Sequence, residues 1–191
     1  MLLDLEKGIV RFKIVYYGIP KSGKTANLEK LSELEGLNMT KIDTKGDRTL
    51  VFDFSSKKVK VNENLMASFA LYTIPGQDIY TDIRLTVLKG VDGIVFVVDS
   101  QEERLQENID FYKKLKEELP KVGKSFSQVS IIMQFNKLDL PNALSEDRLN
   151  KEVNIDSLPS IGASAVTGRG IRETFSILGN QLLSKVKEMV R

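Results

Sequence analysis

Two short apolar runs constrain the fold of this chain more than any other feature. Residues 94–98 read I-V-F-V-V and residues 129–133 read V-S-I-I-M. Such runs, with little polar alternation, are typical of strands buried on both faces of a parallel sheet. Along the chain they alternate with segments of helical periodicity, such as residues 105–119 and 171–190. The sequence therefore predicts an α/β fold with a mostly parallel sheet flanked by helices.

Six segments are predicted to be the strands of this central sheet. They are residues 9–17, 49–54, 65–73, 94–98, 129–133 and 159–163. The polar residues 37–47 are expected to form a mobile surface loop. Residues 55–60, with three lysines, are expected to form a solvated hairpin turn, the alternative being contact with an acidic partner. With 41% hydrophobic residues, residues 1–191 are predicted to form a single domain.

Two helices show clear candidate core positions. The predicted buried positions are Leu105, Ile109, Tyr112, Leu115 and Leu119 in one helix, and Ile171, Phe175, Leu178, Leu182 and Val186 in the last. Their spacing places each set on one helical face. An earlier helix is predicted over residues 24–34, ending at Gly36.

The composition excludes several functional classes. The 28 basic and 26 acidic side chains leave a net charge of +2, without the basic surplus of a nucleic-acid-binding protein. The chain has no cysteine and no histidine, which excludes disulfides, thiolate metal sites, lipid attachment to cysteine and Ser-His catalysis. No apolar run approaches the roughly 20 residues of a membrane span, so we predict a cytoplasmic protein.

Residues 18–25 match the phosphate-loop pattern. They read G-I-P-K-S-G-K-T, and they follow a predicted strand and precede a predicted helix, as the motif requires. Backbone N–H groups of such a loop surround phosphate oxygens, Gly18 and Gly23 allow close approach, and Lys24 neutralises the β- and γ-phosphates. The Thr25 hydroxyl is predicted to bind Mg²⁺. The chain is therefore expected to bind a nucleoside triphosphate.

The identity of the base depends on residues 136–139, which read N-K-L-D after a predicted strand. Ligands of open α/β sheets bind at the carboxyl ends of the strands. The Asp139 carboxylate can accept hydrogen bonds from both the ring N–H and the exocyclic amine of guanine, and adenine lacks this donor pair. Asn136 is expected to hold neighbouring loops, and the Lys137 stem to cover the base. Together with the phosphate loop, this motif predicts guanine nucleotide.

A third short element follows the last predicted strand. Ser164, Ala165 and Val166 resemble the S-A-K element of Ras-like proteins, in which a backbone N–H recognises the guanine carbonyl. Val166 departs from the usual lysine. The alternative is an ordinary turn between a strand and a helix.

Residues 73–77, which read T-I-P-G-Q, occupy the place of a D-x-x-G-Q element. Gly76 can present its N–H to the γ-phosphate and Gln77 can orient the attacking water, although a Pro-Gly pair is also a common turn. Thr73 stands where an aspartate normally supports Mg²⁺ through water. Asp53 and Asp99 are both candidates to replace that aspartate.

Arg48 and Thr49 lie at the end of the polar stretch, just before a predicted strand. Thr49 is predicted to sense Mg²⁺ and γ-phosphate in the GTP state, with Thr40 and Thr44 as rival candidates. Arg48 could stabilise the transferring phosphoryl group as an arginine finger in cis. The alternative is an ordinary surface arginine.

With these motifs together, the chain resembles the MglA-type small GTPases of bacteria, which are prokaryotic relatives of Ras. The segments that resemble them most are residues 12–18, 47–54, 72–77, 88–93 and 136–141. The resemblance implies a Ras-like phosphate-loop GTPase fold, Arg48 and Gln77 as the catalytic pair, and threonine at position 73 as a family trait. One departure is the segment Ile19-Pro20-Lys21, where this family more often has a proline followed by glycine.

The resemblance also implies partners and a process. Members of the family work with MglB, a roadblock-domain dimer that promotes hydrolysis, and many regulate cell polarity or gliding motility. It therefore implies a GTP/GDP switch with Mg²⁺ that hydrolyses GTP slowly alone, and recruitment to the cell pole through protein partners. Two alternatives stay open: a GTP-gated scaffold with negligible hydrolysis, motivated by Thr73 and Pro20, and a phosphate-loop kinase, for which no arginine-rich lid is found.

The full set of predicted site residues follows from these motifs and the resemblance. The nucleotide-binding residues are Gly18, Lys21, Ser22, Gly23, Lys24, Thr25, Ala26, Gly76, Asn136, Lys137, Asp139, Ser164, Ala165 and Val166. The metal-binding residues are Thr25 and Thr49, and the catalytic residues are Arg48 and Gln77.

Overall fold

The computed structural model of the chain describes residues 1–4, 7–43, 51–62, 65–75 and 81–189. The strands are β1 (Leu2–Asp4), β2 (Ile9–Tyr17), β3 (Met39–Asp43), β4 (Val51–Lys60), β5 (Met66–Thr73), β6 (Gly93–Asp99), β7 (Ser130–Asn136) and β8 (Ser160–Gly162). The helices are α1 (Lys24–Glu35), α2 (Thr81–Leu88), α3 (Leu105–Lys121), α4 (Glu146–Glu152) and α5 (Ile171–Met189).

The strands form one mixed sheet that is eight-stranded over the described residues. Its order is β3-β4-β5-β2-β6-β7-β8, and β1 pairs separately with β2. The pairings β2 with β5, β2 with β6, β6 with β7 and β7 with β8 are parallel. The pairings of β1, β3 and β4 are antiparallel. The predicted α/β class is confirmed, and all six predicted strands form, with β1 and β3 added to them.

Two hydrophobic cores lie on opposite faces of the sheet. One packs α2, α3 and α4 against the sheet, and the other packs α1 and α5. Every residue of β6 and β7 is buried, because alternate side chains of these strands enter opposite cores. In β6, for example, Phe96 belongs to the first core and Val97 to the second. Burial on both faces of the sheet, as predicted, therefore explains the absence of polar alternation in these runs.

The two predicted helical faces also pack as expected. The buried positions are Tyr112, Leu115 and Leu119 in α3 and Ile171, Phe175, Leu178, Leu182 and Val186 in α5. Leu105 and Ile109 are partly buried against the same core as the rest of α3. Helix α1 ends as predicted at Gly36, whose left-handed φ of 62° lets Leu37 N–H donate to Ser32 O at 2.8 Å.

The polar stretch after Gly36 differs from its prediction as a loop. Its residues 39–43 form β3, which pairs antiparallel with β4, with Met39 opposite Ser55. The strand is held by backbone pairing at the sheet edge, and such pairing needs no apolar alternation in the sequence. Residues 44–47 of the predicted loop lie outside the described part of the chain.

The predicted hairpin turn is also corrected, because its lysines belong to β4. Lys57 lies opposite Phe69 of β5 and Lys60 opposite Met66, so the connection begins only after Lys60. The Lys57 ammonium pairs with Glu35 and lies 5.1 Å from the ring centroid of Phe175. These contacts with α1 and α5 allow a lysine-rich segment to extend the sheet.

The topology brings the predicted motifs together. The parallel strands β2, β6, β7 and β8 end at the same edge, so the loops that follow their carboxyl ends lie side by side. These loops contain residues 18–23, 100–104, 137–145 and 163–170. In the part of the chain that the structure describes, no helix is both long and apolar enough to cross a membrane.

Candidate functional site

The phosphate loop joins β2 to α1, and its backbone conformation requires glycine at both of the positions where glycine occurs. Gly18 has φ 154° and Gly23 has φ 97°. A Cβ atom at Gly18 would overlap the carbonyl oxygen of Val97, and one at Gly23 would overlap the side-chain amide of Asn136. Lys21 also has a left-handed φ of 63° and is exposed. The loop therefore turns tightly against β6 and β7.

Lys24 is folded back into the phosphate loop. Its side chain is buried, and its ammonium donates to Gly18 O at 2.9 Å and to Ile19 O at 2.6 Å. Burial, with a smaller effect from the positive charge of Arg84, lowers the pKa of Lys24 to about 7. Within the described residues, one of its three N–H donors is left for an anion. An ammonium in this position is suited to neutralise phosphate.

The start of α1 leaves backbone donors without a side-chain cap. Gly23 is the N-cap residue, no side chain of the described residues caps the helix, and its first turn has no acidic residue. Thr25 and Ala26, in that first turn, are exposed. Two buried side-chain oxygens nearby, Ser22 Oγ and Asn27 Oδ1, have no hydrogen-bond partner among the described residues. Uncapped N–H groups at a helix N-terminus favour the binding of an anion.

Asn136 connects the phosphate loop to the loop after β8. It ends β7 with only 1% of its surface exposed. Its Nδ2 donates to Ser22 O at 2.8 Å, and its Oδ1 accepts from Ala165 N–H at 3.0 Å. The side chain thus holds loops from three strands together. The Ala165 N–H, predicted to lie in the guanine-recognising element, is used in this contact.

Lys137 is oriented by a buried carboxylate. Its Nζ donates to Asp99 Oδ2 at 2.6 Å and to Gln101 Oε1 at 3.4 Å. Asp99 is 1% exposed, and its Oδ1 accepts from Gln101 N–H at 3.3 Å. The buried Asn108 of α3 bonds to both the N–H and the carbonyl oxygen of Asp99. Because its Oδ2 accepts from Lys137, the buried Asp99 is placed to position that side chain. Support of Mg²⁺ by Asp99 stays a prediction.

Of the remaining residues of the predicted base site, Asp139 and Val166 are exposed and Ser164 is buried. Asp139 is exposed, and no protein hydrogen bond to its carboxylate is formed within the described ranges. The buried Ser164 shapes its own turn, with Oγ accepting from Thr167 N–H at 3.2 Å. Val166 is 79% exposed. The Leu138 N–H donates to Ala163 O at 3.1 Å, which ties the two loops together.

Arg104 contacts the phosphate loop, and this contact was not predicted from the sequence. It lies in the 3₁₀ turn Glu102–Arg104 before α3, and its Nη2 donates to Pro20 O at 3.0 Å. Its Nη1 donates to Glu107 at 2.6 Å. The two residues are 84 positions apart, so no local motif indicates the contact. This bond anchors the phosphate loop at Pro20.

Several predicted residues lie outside the described part of the chain. These are Thr44, Arg48, Thr49, Gly76 and Gln77, together with the side chain of Asp53. Their roles stay predictions. Of the alternatives, Thr40 lies in β3 opposite Phe54, and Thr73 ends β5 with 2% of its surface exposed.

Taken together, the edge holds a glycine-lined loop, a buried ammonium, an uncapped helix start and an exposed carboxylate. This donor set fits a guanine nucleotide with its phosphates over α1. The sequence profile of Arf, the ADP-ribosylation factor family, matches residues 2–182. The chain therefore belongs to the ADP-ribosylation factor family of small GTPases, and it is a guanine-nucleotide switch of the Ras-like class.

Individual relatives refine this assignment. The mutual gliding-motility protein MglA of Myxococcus xanthus (strain DK1622) is 36% identical over 184 residues, which are 94% of this chain and 94% of that protein. Human ADP-ribosylation factor-like protein 4A is 30% identical over 187 residues, 92% of this chain and 86% of that protein. Human ADP-ribosylation factor-like protein 4D is 28% identical over 185 residues. The predicted resemblance to MglA-type small GTPases is confirmed.

The lowered pKa of Lys24 leads to a prediction about proton uptake on nucleotide binding. With a pKa of about 7 in the free protein, Lys24 is largely neutral above that pH, and the negative phosphates raise its pKa again. Binding of GDP at about pH 8.5 should therefore take up close to one proton, and affinity should fall as pH rises. Isothermal titration in two buffers of different ionisation enthalpy measures this uptake. A binding enthalpy that is independent of the buffer would contradict the prediction.

Proposed function

We propose that residues 1–191 act as one GTPase domain that binds GTP and GDP with Mg²⁺ and hydrolyses GTP as a timed switch. The observation that supports this best is Asn136. Its amide joins Ser22 of the phosphate loop to Ala165 of the loop after β8, at 2.8 and 3.0 Å. One side chain thus holds the predicted phosphate site and the predicted base site together, which suits a nucleotide that occupies both.

Each residue then has a defined role in binding. Lys24 and the backbone N–H groups at the start of α1 bind the β- and γ-phosphates. Asp139, exposed and without a protein partner in the described ranges, accepts from the two guanine donors. Lys137, held by Asp99 at 2.6 Å, lays its stem along the base. Selection of guanine over adenine follows because only guanine has both donors.

Mg²⁺ would be held by the hydroxyls of Thr25 and Thr49 together with phosphate oxygens, and it would neutralise charge on the phosphates. Thr25 lies exposed in the first turn of α1, as this role needs. Thr73 is buried and contributes no carboxylate, and no cluster of acidic residues suited to a metal exists among the described residues. Coordination by hydroxyl and phosphate oxygens therefore fits this chain better than a carboxylate cage.

For hydrolysis, Gly76 N–H contacts the γ-phosphate, Gln77 orients the attacking water, and Arg48 stabilises charge on the transferring group. Hydrolysis is slow in the isolated chain, and a roadblock-domain activator of the MglB kind stimulates it. The relative in Myxococcus xanthus is named for gliding motility. By analogy we place this chain in the regulation of cell polarity or motility, with recruitment to the cell pole through protein partners.

Single-turnover hydrolysis of GTP tests the proposal. The purified chain with Mg²⁺ should release phosphate from GTP and not from ATP, and a roadblock-domain dimer should accelerate the release. Arg48→Ala should slow hydrolysis by roughly 10³-fold, while GDP affinity is retained. The matched control Arg11→Ala removes an exposed arginine of β2 and should leave the rate unchanged.

Other outcomes separate the alternatives. Tight GTP binding with no phosphate release, even with a roadblock dimer, would support a GTP-gated scaffold instead. Equal binding of ATP and GTP would contradict the base-selecting role of Asp139 and favour a kinase. Equal rates for Arg48→Ala and the unaltered chain would remove Arg48 from the mechanism.

A further inference from the structure

One face of the sheet is open over the part formed by β1, β2, β5 and β4, on the side opposite α1 and α5. Paired residues on neighbouring strands project from the same face, so the register defines three rows of side chains across these strands. We call the surface of these rows the basic face. The rows are Asp4, Ile9, Met66 and Lys60; Leu2, Arg11, Ser68 and Lys58; and Lys13, Ala70 and Ser56.

The two faces of this part of the sheet have different surroundings. The residues that alternate with the rows, such as Val10, Phe12 and Phe69, belong to the core under α1 and α5. On the basic face, the core under α2, α3 and α4 begins only at Val15 of β2. No residue of the three rows belongs to either core. The exposed residues of the basic face are Leu2, Arg11, Ser56, Lys58 and Lys60.

The charges of the basic face are not balanced. Asp4 is the single carboxylate in the three rows. It is already engaged by Lys7, whose N–H donates to Oδ1 at 3.1 Å and whose ammonium lies 3.8 Å from Oδ2. Within the described residues, the side chains of Arg11, Lys58 and Lys60 form no hydrogen bond or ion pair. These neighbouring cations repel one another, and an acidic surface placed over them would relieve that repulsion.

The fourth cation, Lys13, lies at the border of the basic face and has contacts of its own. Its ammonium donates to Lys89 O at 2.9 Å and lies 4.9 Å from the ring centroid of Tyr72. Its backbone N–H donates to Asp92 Oδ2 at 2.9 Å. The carboxylates beside the basic face are therefore engaged by neighbouring groups, and three exposed cations are available to a partner.

The positions of these three cations match the dimensions of an α-helix. Arg11 and Lys58 lie on either side of Ser68 in one row, so their backbones are about 10 Å apart, which is the width of a helix. Lys58 and Lys60 are about 7 Å apart along β4, and residues i and i+4 of a helix are about 6 Å apart. Between the cations, β5 presents the small side chains of Ser68 and Ala70. A helix along β5 can thus place carboxylates against the cations on both sides.

The charge of the whole chain favours a protein partner over a polyanion. The net charge is only +2, so long-range attraction to nucleic acid or to an anionic membrane is weak. Polybasic segments that bind membranes have about four to eight cations near the surface, and this face has three that are free. A protein helix holds its carboxylates at fixed positions. It can also contact Leu2, which is 72% exposed beside Arg11, with an apolar side chain.

We propose that the basic face is a docking surface for an acidic amphipathic helix of a partner protein, which lies along β5 between Arg11 and the lysines of β4. Residues 55–60 thereby contact an acidic partner as part of a strand and not as a turn. The inference does not rest on the proposed function. Arg11 lies six residues before Tyr17, the end of β2, and is therefore about 20 Å from the phosphate loop. The helix and a nucleotide should bind without competition.

Titration with a synthetic peptide tests this inference. The probe is an alanine-based helical peptide of about 20 residues, with glutamates on both sides of a row of leucines. Added to the purified chain labelled with ¹⁵N, it should shift the amide signals of β2, β4 and β5 and leave those of α3 unchanged. The Kd is expected to be on the order of 10–100 μM. The same peptide with glutamine in place of every glutamate should not bind.

Charge reversal on the basic face provides the second measurement. Arg11→Glu with Lys58→Glu should weaken peptide binding by about tenfold or more, because attraction becomes repulsion at two positions. Lys121→Glu with Lys151→Glu is the matched control, since it makes the same change in net charge at exposed lysines of α3 and α4. Its Kd should stay within about twofold of the unaltered value. Circular dichroism checks that both variants fold.

Four outcomes would overturn the inference. They are absence of peptide binding up to about 1 mM, amide shifts confined to other surfaces, equal binding by the glutamine peptide, and equal loss of affinity in the two charge-reversal variants. The amide shifts decide the matter in the unaltered chain even if a variant fails to fold.

A membrane is the competing occupant, and vesicles of phosphatidylcholine with phosphatidylserine test it. Sedimentation of the chain with these vesicles, lost in Arg11→Glu with Lys58→Glu and without binding of the glutamate peptide, would assign the basic face to a membrane. That result would also overturn the inference. Peptide binding that depends on Arg11 and Lys58 would support it.

Discussion

Asn136→Ala is expected to lower the affinity for GDP by about 100-fold. The substitution removes both hydrogen bonds that join Ser22 O and Ala165 N–H through this buried amide. Each lost partner costs about 1–3 kcal/mol, because backbone groups are left unpaired away from water, and about 3 kcal/mol corresponds to the expected loss of affinity. Fluorescence titration with a labelled GDP measures it directly.

Asn154→Ala is the matched control for this prediction. Asn154 is also buried, at 5% exposed, and its amide bonds to Asn150 Oδ1, Leu158 O and Leu158 N–H at 2.8–2.9 Å. It lies between α4 and β8, outside the loops of the site. Both variants should lose stability in urea unfolding, and only Asn136→Ala should lose nucleotide affinity. Equal affinity in the two variants would show that Asn136 does not organise the site.

Gly23→Ala should abolish measurable nucleotide binding at micromolar protein concentrations. At φ 97° an alanine is strained by roughly 1–2 kcal/mol, and its Cβ would overlap the Asn136 amide. Relief of that overlap needs either a shift of the phosphate loop or loss of the Asn136 bond to Ser22 O. Both changes move the N–H groups that surround the phosphates. The same titration, with circular dichroism as a check of folding, measures the effect.

A second glycine isolates the contribution of backbone strain. Gly123, after α3, also has a left-handed φ, 73°, and apart from its chain neighbours no heavy atom of the described residues lies within 4 Å of the position that a Cβ would take there. Gly123→Ala should therefore lower the free energy of unfolding by about 1 kcal/mol and leave GDP affinity unchanged. If Gly23→Ala binds GDP as well as Gly123→Ala does, close approach at Gly23 is not required.

Much of the fold could be predicted from the sequence because it follows local patterns. The fully apolar runs of β6 and β7 reflect burial on both faces, and the spacing of apolar residues in α3 and α5 reflects one buried face each. Strand β2 is found with its predicted bounds, Ile9–Tyr17. The two errors lie at the sheet edge, in β3 and in the lysines of β4, where backbone pairing and contacts with Glu35 and Phe175 replace apolar alternation.

The candidate site could be located from the sequence for a similar reason. The phosphate loop and the N-K-x-D motif each directly follow a buried strand, and parallel strands end at a common edge. Short motifs thereby imply a shared location although Gly23 and Asn136 are far apart in the chain. Their chemistry, in the form of glycines, a lysine and a carboxylate, can be read residue by residue.

By itself, the sequence determined the class of this protein: an α/β GTPase with its nucleotide loops at one edge of the sheet. Only the tertiary structure decided how these loops are held. The Asn136 bond to Ser22 spans 114 residues, the Arg104 bond to Pro20 spans 84, and the Tyr17 bond to Glu118 spans 101. Such bonds join single polar side chains that have no periodicity and no fixed spacing. Their partners are set by packing of the helices on the sheet, which the chain acquires only when it folds.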